Sequence, residues 1–475
     1  MQTISEIWQK QNLFIENKKK ESQELFNRKP LIDDDQTLAR IGIAAFPAGR
    51  PLAYLRLWPQ DFIVEEITKD GGAHLLEIGD KSKLISDAGN TVYADLVKVG
   101  LSTLDAVEEI SKQFGIERNK IGYAGIKDKD ALTCQQLSFR QTDLEVVEGI
   151  KGENFFLKNI HKNKGALQIG DLEGNRFTLV LRGFGKFNEE EINNRISALS
   201  QTGFFNFFYT QRFGTPRLIS HYLGLLMLQR NYEEAIKALL TFTSNAEIAF
   251  YTDLRKQIAT LWGNWEEIHT LIEPLGYSFR RELLLIEYLE KTPTDFLGAL
   301  KLIPEQVQMW VFAYASFLFN RKLSEMIRAE KVPVALPLLL SGDQSDWELY
   351  RDFLEADDLK IPSPMFRDFP QIQVKSRAVK TVQGFKFDSF KIVPDQPKIG
   401  VISFTLPKGS YATTLLAHLF SLAGNIPVPE GISDIAVDSK EVLGYSAIAP
   451  MLEIFKTSIH SKLEFSESQT ETSAE

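Results

Sequence analysis

The hydrophobic period of this chain changes twice, and that change limits the architectures open to it. Between Arg176 and Arg182, Phe177, Leu179 and Leu181 alternate with Thr178, Val180 and Arg182, the two-residue repeat of a strand with two different faces. From about 218 to 370 the spacing is helical. His221 to Gln229 and Tyr232 to Leu240 show it, as does a segment opened by Pro304 that carries Val307, Val311, Tyr314 and Leu318. Alternation returns in Gly400 to Leu406, where Ile402, Phe404 and Leu406 are set against Val401, Ser403 and Thr405. A strand-rich domain interrupted by an insertion produces this order.

The expected boundaries follow from those shifts. Residues 1–36 form a polar extension in which Ile4, Trp8, Leu13 and Phe14 mark an amphipathic helix, ended by Lys29 and Pro30. Residues 37–217 and 371–424 are the two parts of the interrupted domain, and 218–370 the helical insertion. Residues 425–475 are a C-terminal extension whose last stretch, Glu464 to Glu475, has four glutamates and no basic residue, the composition of a disordered acidic tail. Within the first part, Ser102 or Thr103 caps a helix carrying Ala106, Val107, Ile110 and Phe114, closed by Gly115. The stretch from Gly79 to Gly89 reads as a small insertion.

Composition excludes several functional classes. The single cysteine, Cys134, allows neither an internal disulfide nor a zinc-finger pairing, so a reducing, cytoplasmic setting is the default. The polar start, with Lys18, Lys19 and Lys20, is unlike a secretory signal. The longest greasy stretch, Val334 to Leu340, is broken by Pro337 and falls far short of the ~20 residues of a membrane helix. No phosphate loop is present, and Gly183 and Gly185 lack the third glycine of a dinucleotide site. The six histidines are scattered without ligand spacing. No metal, nucleotide or redox cofactor is expected. The formal net charge of −9 argues on its face against a nucleic-acid partner, whose phosphates call for clustered Lys and Arg.

Three segments carry candidate chemistry. Gly122 and Gly125 make a tight turn before Lys127, Asp128, Lys129 and Asp130, after which Ala131, Thr133, Gln135, Leu137 and Phe139 repeat with period two. An aspartate is thus offered at a strand mouth between two lysines. A turn of this kind is ordinarily just solvated; its functional reading is a reactive carboxylate held ionised by its neighbours. From Gly203 to Gly214, aromatic residues are interleaved with Asn206, Gln211 and Arg212. Rings of this kind are usually core, but rings mixed with edge donors also suit an unstacked base. The third segment, Asp61 to Ile67, reads alone as an ordinary strand start. Between 155 and 186 the local charge balance is +4, a weak sign of a phosphate-tracking surface.

Taken together these segments resemble the TruD family of pseudouridine synthases, which act at tRNA position 13. The likeness lies in seven ordered blocks: Asp61-Phe-Ile-Val-Glu-Glu66, Gly125-Ile-Lys-Asp-Lys-Asp-Ala-Leu-Thr-Cys-Gln135, His161-Lys-Asn-Lys164, Gly174-Asn-Arg-Phe177, Asn206-Phe-Phe-Tyr-Thr-Gln-Arg-Phe-Gly214, Ala313-Tyr-Ala-Ser-Phe-Leu-Phe-Asn320 and Leu406-Pro-Lys-Gly-Ser-Tyr-Ala-Thr413. They run over about 50 to 420.

The resemblance implies an α+β chain with a pseudouridine synthase catalytic fold, a mixed and mainly antiparallel sheet flanked by helices, interrupted by a TruD-type insertion domain. It implies a cofactor-free isomerase that binds tRNA, with no membrane, metal or obligatory protein partner. Asp128 falls at the catalytic aspartate. Phe62, Asn206 and Phe208 fall at substrate-binding positions, joined by Arg56, Lys127 and Gln211; Phe208 matches the aromatic that stacks on the uracil, and Arg56 is a candidate partner of Asp128. Lys162, Lys164 and Arg212 are candidates for the RNA backbone. Tyr209 stands where the family usually has glycine, adding bulk near the expected pocket. The alternatives are an RNA-binding or RNA-folding protein on the same scaffold, or a synthase acting on a different RNA.

Overall fold

The computed structural model of the chain describes residues 4–27, 31–44, 46–76, 89–338, 344–359, 363–372, 377–424 and 428–463. The small insertion expected at 79–89, apart from its last residue, and the acidic tail from 464 lie outside the described residues. Contacts divide the chain into two units, Met1–Phe46 with Phe205–Val382 and Pro47–Phe204 with Gln383–Glu475, whereas sequence periodicity places boundaries at 36/37, 217/218, 370/371 and 424/425.

The strand-rich unit is built around the long strand Leu172–Gly183. One edge pairs antiparallel with Gln396–Pro407, and the other pairs antiparallel with Leu52–Leu55 and then Phe62–Thr68. Phe62–Thr68 runs parallel to Leu132–Arg140, which pairs antiparallel with both Thr91–Val99 and Ile121–Tyr123. Phe155–Asn163 extends this side, Lys386–Val393 the other, and Ser421–Gly424 lies parallel to Leu52–Leu55. The sheet is therefore mixed and mainly antiparallel, with helices against it, an α+β architecture.

Period-two alternation distributes its side chains. Val92, Ala94 and Leu96, with Leu137 and Phe139, pack under the helix Thr103–Phe114 through Ala106, Val107 and Ile110. Ser102 is the cap, its hydroxyl accepting from the Asp105 N–H, and Gly115 closes the helix at φ 66°. The alternate residues Val97, Val99, Leu132 and Cys134 meet Ile448, Met451 and Phe455 on the opposite face. The C-terminal stretch from 428 to 463 thus supplies a layer of this unit.

The helical unit is organised on the 25-residue helix Pro304–Arg328, which begins at the proline because its missing N–H is unpaired in a first turn anyway. Val307, Val311, Tyr314 and Leu318 are all buried along it. Ser220–Leu228 packs against this helix at Gly224, where a Cβ would come within 2.1 Å of the Trp310 carbonyl oxygen; only glycine permits that approach. The N-terminal helix Ile4–Glu21 joins the same core through Phe14 and Ile15, with Gln11 bonded to Ser278 through both ends of its amide. Of the residues whose spacing marked an amphipathic helix, Phe14 joins this core while Leu13 is exposed, and the helix ends at Glu21, ahead of Lys29 and Pro30. Among the described residues, no helix is long and apolar enough to cross a membrane.

Candidate active site

The strand-rich unit holds Asp128 on the loop between Ile121–Tyr123 and Leu132–Arg140. Gly122 fits because a Cβ there would lie 2.5 Å from the Leu167 carbonyl oxygen. The loop is tied down residue by residue. Ala124 O accepts from the Gly170 N–H at 2.8 Å, Gly125 O from Gln135 Nε2 at 2.9 Å, and the Lys127 N–H donates to Thr103 Oγ1 at 2.9 Å. Thr103 Oγ1 donates in turn to Gln135 Oε1 at 2.7 Å, so helix, strand and loop share one small network. Beneath it Lys98 Nζ donates to the Asp128 carbonyl oxygen at 2.8 Å.

The Asp128 carboxylate is 42% exposed, and Arg56 Nη2 stands 3.4 Å from its Oδ2. Arg56 follows the strand Leu52–Leu55 in a left-handed conformation, φ 62°. Strain of this kind concentrates at functional sites. Its guanidinium carbon lies 3.9 Å above the centre of the Phe62 ring, within cation–π range. Phe62 is 1% exposed, edge-on to Phe177, which stacks on Phe404 at 5.5 Å. Arg56, Phe62 and Asp128 are therefore brought together, although two of them are 66 residues apart by number.

Lys127 faces elsewhere. Its ammonium is buried in an ion pair with Glu66, whose other oxygen accepts from the Gln136 N–H at 3.2 Å. The cation in contact with the Asp128 carboxylate is Arg56 rather than either flanking lysine in the chain. On this loop, adjacency in number does not give adjacency of charge.

Asn206, Phe208, Gln211 and Arg212 belong to the helical unit. Asn206 donates through Nδ2 to the Lys380 carbonyl at 3.0 Å and through its N–H to Thr381 at 2.8 Å. Asn320, in the long helix, clamps both the N–H and the carbonyl of Phe208 at 2.9 and 2.7 Å. The Phe208 ring meets Phe319 edge-on and lies under the Arg212 guanidinium at 5.4 Å. Gln211 is exposed on the short turn Thr210–Phe213. Tyr209 is tied by its hydroxyl to Asp33 at 2.5 Å, so its bulk is directed at the N-terminal segment.

The basic stretch 155–186 is not one continuous surface, which corrects the expectation drawn from its charge. Arg182 is buried and forks onto both oxygens of Asp61 at 2.8 and 2.9 Å, Arg176 pairs with Asp388, and Lys158 donates to the Leu75 carbonyl. Lys162, Lys164 and Lys186 are the exposed cations that remain.

Two further lysines escaped the motif reading. Burial lowers Lys98 to about 7, with Asp128 the largest opposing influence. Burial also lowers Lys462, against the attraction of Asp130; its backbone N–H donates to the Leu57 carbonyl at 2.9 Å, next to Arg56. Lys98 reads in sequence as one polar residue in a strand, and Lys462 lies beyond the recognisable blocks; no local signal marks either. Among the described residues no group of three or more His, Cys, Asp or Glu side chains could hold a metal ion.

Residues 52–344 match the family model described as tRNA pseudouridine synthase D (TruD). A curated protein of Aquifex aeolicus, named tRNA pseudouridine synthase D, is 29% identical over 76% of this chain and 96% of its own length. A crystal structure from Methanosarcina mazei, described as TruD, superimposes with a TM-score of 0.64 at 23% identity, covering 80% of this chain and 97% of that one. Its sheet and flanking helices match those described above.

Proposed function

As this chain belongs to the TruD family of tRNA pseudouridine synthases, we propose that it isomerises the uridine at position 13 of tRNA, with Asp128 as the catalytic carboxylate and no cofactor. The enzyme is an isomerase: the C1′–N1 bond breaks, a C1′–C5 bond forms, N1 gains a proton and C5 loses one. Atoms balance without water, oxidant or nucleotide.

The observation that carries the assignment is the Arg56–Asp128 pair. It joins a half-exposed carboxylate, on a loop held by hydrogen bonds from helix and strand, to a cation 3.4 Å away, the arrangement that orients a reactive carboxylate. Asp128 acts on the ribose, by adding at C1′ or by removing the C2′ proton, and the freed uracil turns before rejoining through C5. Extruding the uridine costs a few kcal/mol. The family likeness makes Asn206, Phe208 and Gln211 substrate-binding candidates of the helical unit, and Lys162, Lys164 and Arg212 candidates for the RNA backbone.

Mapping pseudouridine with a carbodiimide in tRNA treated with wild-type protein or Asp128→Asn tests the reading. Modification at position 13 by wild type alone is expected, with tRNA binding retained by Asp128→Asn. Turnover by the variant would remove Asp128 from its role, and modification elsewhere would change the target.

A further inference from the structure

Lys98 is fully buried, and among the described residues no carboxylate lies within ion-pair distance of its ammonium, whose hydrogen bonds go to carbonyl oxygens. It lies near the end of the strand Thr91–Val99, flanked across the sheet by Thr133 and Phe155, neither of which carries charge. Its Nζ donates to two carbonyl oxygens, Leu101 at 2.7 Å and Asp128 at 2.8 Å. The charged groups that face it are Asp128 and Lys127 from the loop and Asp105 from the first turn of the helix Thr103–Phe114. Burying an ammonium with carbonyl partners alone is costly, and an apolar side chain of similar length would fill the same space. What the amine adds is a tether between the end of the strand and the backbone of the residue that carries the candidate carboxylate.

We propose that Lys98 is a positioning residue for Asp128, fixing the direction of its carboxylate through the carbonyl and placing a positive charge beneath the loop. The proposal rests on the reading of Asp128 as the reacting group. Loss of the tether frees the peptide between Asp128 and Lys129 to rotate, and small misplacements of reacting groups cost up to about 100-fold in rate.

Single-turnover pseudouridine formation on unmodified tRNA, measured from about pH 6 to pH 8.5, tests this with Lys98→Met, Lys98→Gln and Asp128→Asn. Lys98→Met is expected to bind tRNA as wild type does and to react about 10- to 100-fold more slowly. Lys98→Gln, whose amide still donates, recovers part of the rate. Its deficit narrows as pH rises through about 7, because wild-type Lys98 gives up its charge there while the neutral amine still donates. A purely structural residue would leave a deficit independent of pH. A folded Lys98→Met with the wild-type rate, or a Lys98→Gln deficit constant across the range, overturns the proposal. If Lys98→Met does not fold, the Lys98→Gln profile decides. An active Asp128→Asn overturns the parent reading and this one with it, whereas an inactive Asp128→Asn beside a fully active Lys98→Met overturns the role of Lys98 alone.

Discussion

Arg56 spans the carboxylate of Asp128 and the face of Phe62 with one planar group, 3.4 Å from the first and 3.9 Å from the centre of the second. An ammonium could supply the charge but not the flat cover. The guanidinium is 18% exposed, and partly exposed ion pairs contribute about 0–1 kcal/mol to stability. Arg56→Met is therefore expected to unfold within about 1 kcal/mol of wild type while losing at least about tenfold in single-turnover rate. Arg56→Lys should fall between the two. A large loss of stability without loss of rate would make Arg56 a structural residue.

Asn320 is fully buried and its amide serves three backbone groups, the N–H and carbonyl of Phe208 and the carbonyl of Ile41, the last at 2.8 Å. Asn320→Ala leaves all three without their partner, and a buried polar group left unpaired costs about 1–3 kcal/mol. Urea unfolding should show a loss of at least that size. Asn320→Asp, which removes both donors and adds a buried charge, should be worse than alanine.

Phe455 is fully buried and stacks on Phe156 at 5.5 Å, in the layer that the C-terminal stretch lays on the sheet. Truncating a core phenylalanine to alanine typically costs about 3–5 kcal/mol. Phe455→Ala should lower the melting temperature accordingly, and a change under about 0.5 kcal/mol would show that this layer is dispensable.

His74 Nδ1 lies 2.6 Å from Asp95 Oδ1. Burial pushes the imidazole down, but the hydrogen bond and charge of Asp95 outweigh it, so His74 titrates above its ordinary 6.5 when folded. The folded state then holds the proton more tightly than the unfolded chain. The stabilisation is fully present below about 6.5 and is lost as pH rises through the raised folded value. Denaturant unfolding from about pH 5.5 to 8.5 should show wild type losing stability relative to His74→Asn across that window. Parallel profiles would show that the pair contributes nothing.

Much of this molecule is legible in its residues. Alternation at Arg176 to Arg182 and Gly400 to Leu406 lies in the paired strands Leu172–Gly183 and Gln396–Pro407. Helical spacing from Pro304 lies in one long buried helix, because periodicity is a local consequence of which side chains must share a face. The blocks around Asp61, Gly125 and Asn206 carry the family likeness, because the segments themselves are contiguous in sequence.

The family likeness offered Arg56 as a partner for Asp128, and the two do pair; other partnerships were not legible. Lys127 stands beside Asp128 in the chain yet pairs with Glu66, and Arg56 reaches Asp128 from just beyond the strand Leu52–Leu55. Arg182 counts toward a basic run but is spent inside the protein on Asp61 and the carbonyls of Ser433 and Ile435. A net charge of −9 likewise says nothing of where cations remain free. By itself the sequence determined the order of strands and helices, the family blocks and the identity of the candidate carboxylate. The tertiary structure alone decided that Lys127 turns to Glu66 and that Lys98 lies beneath the carboxylate, because Coulomb and hydrogen-bond energies depend on distance and burial, and pairing across a sheet brings together residues that number keeps apart.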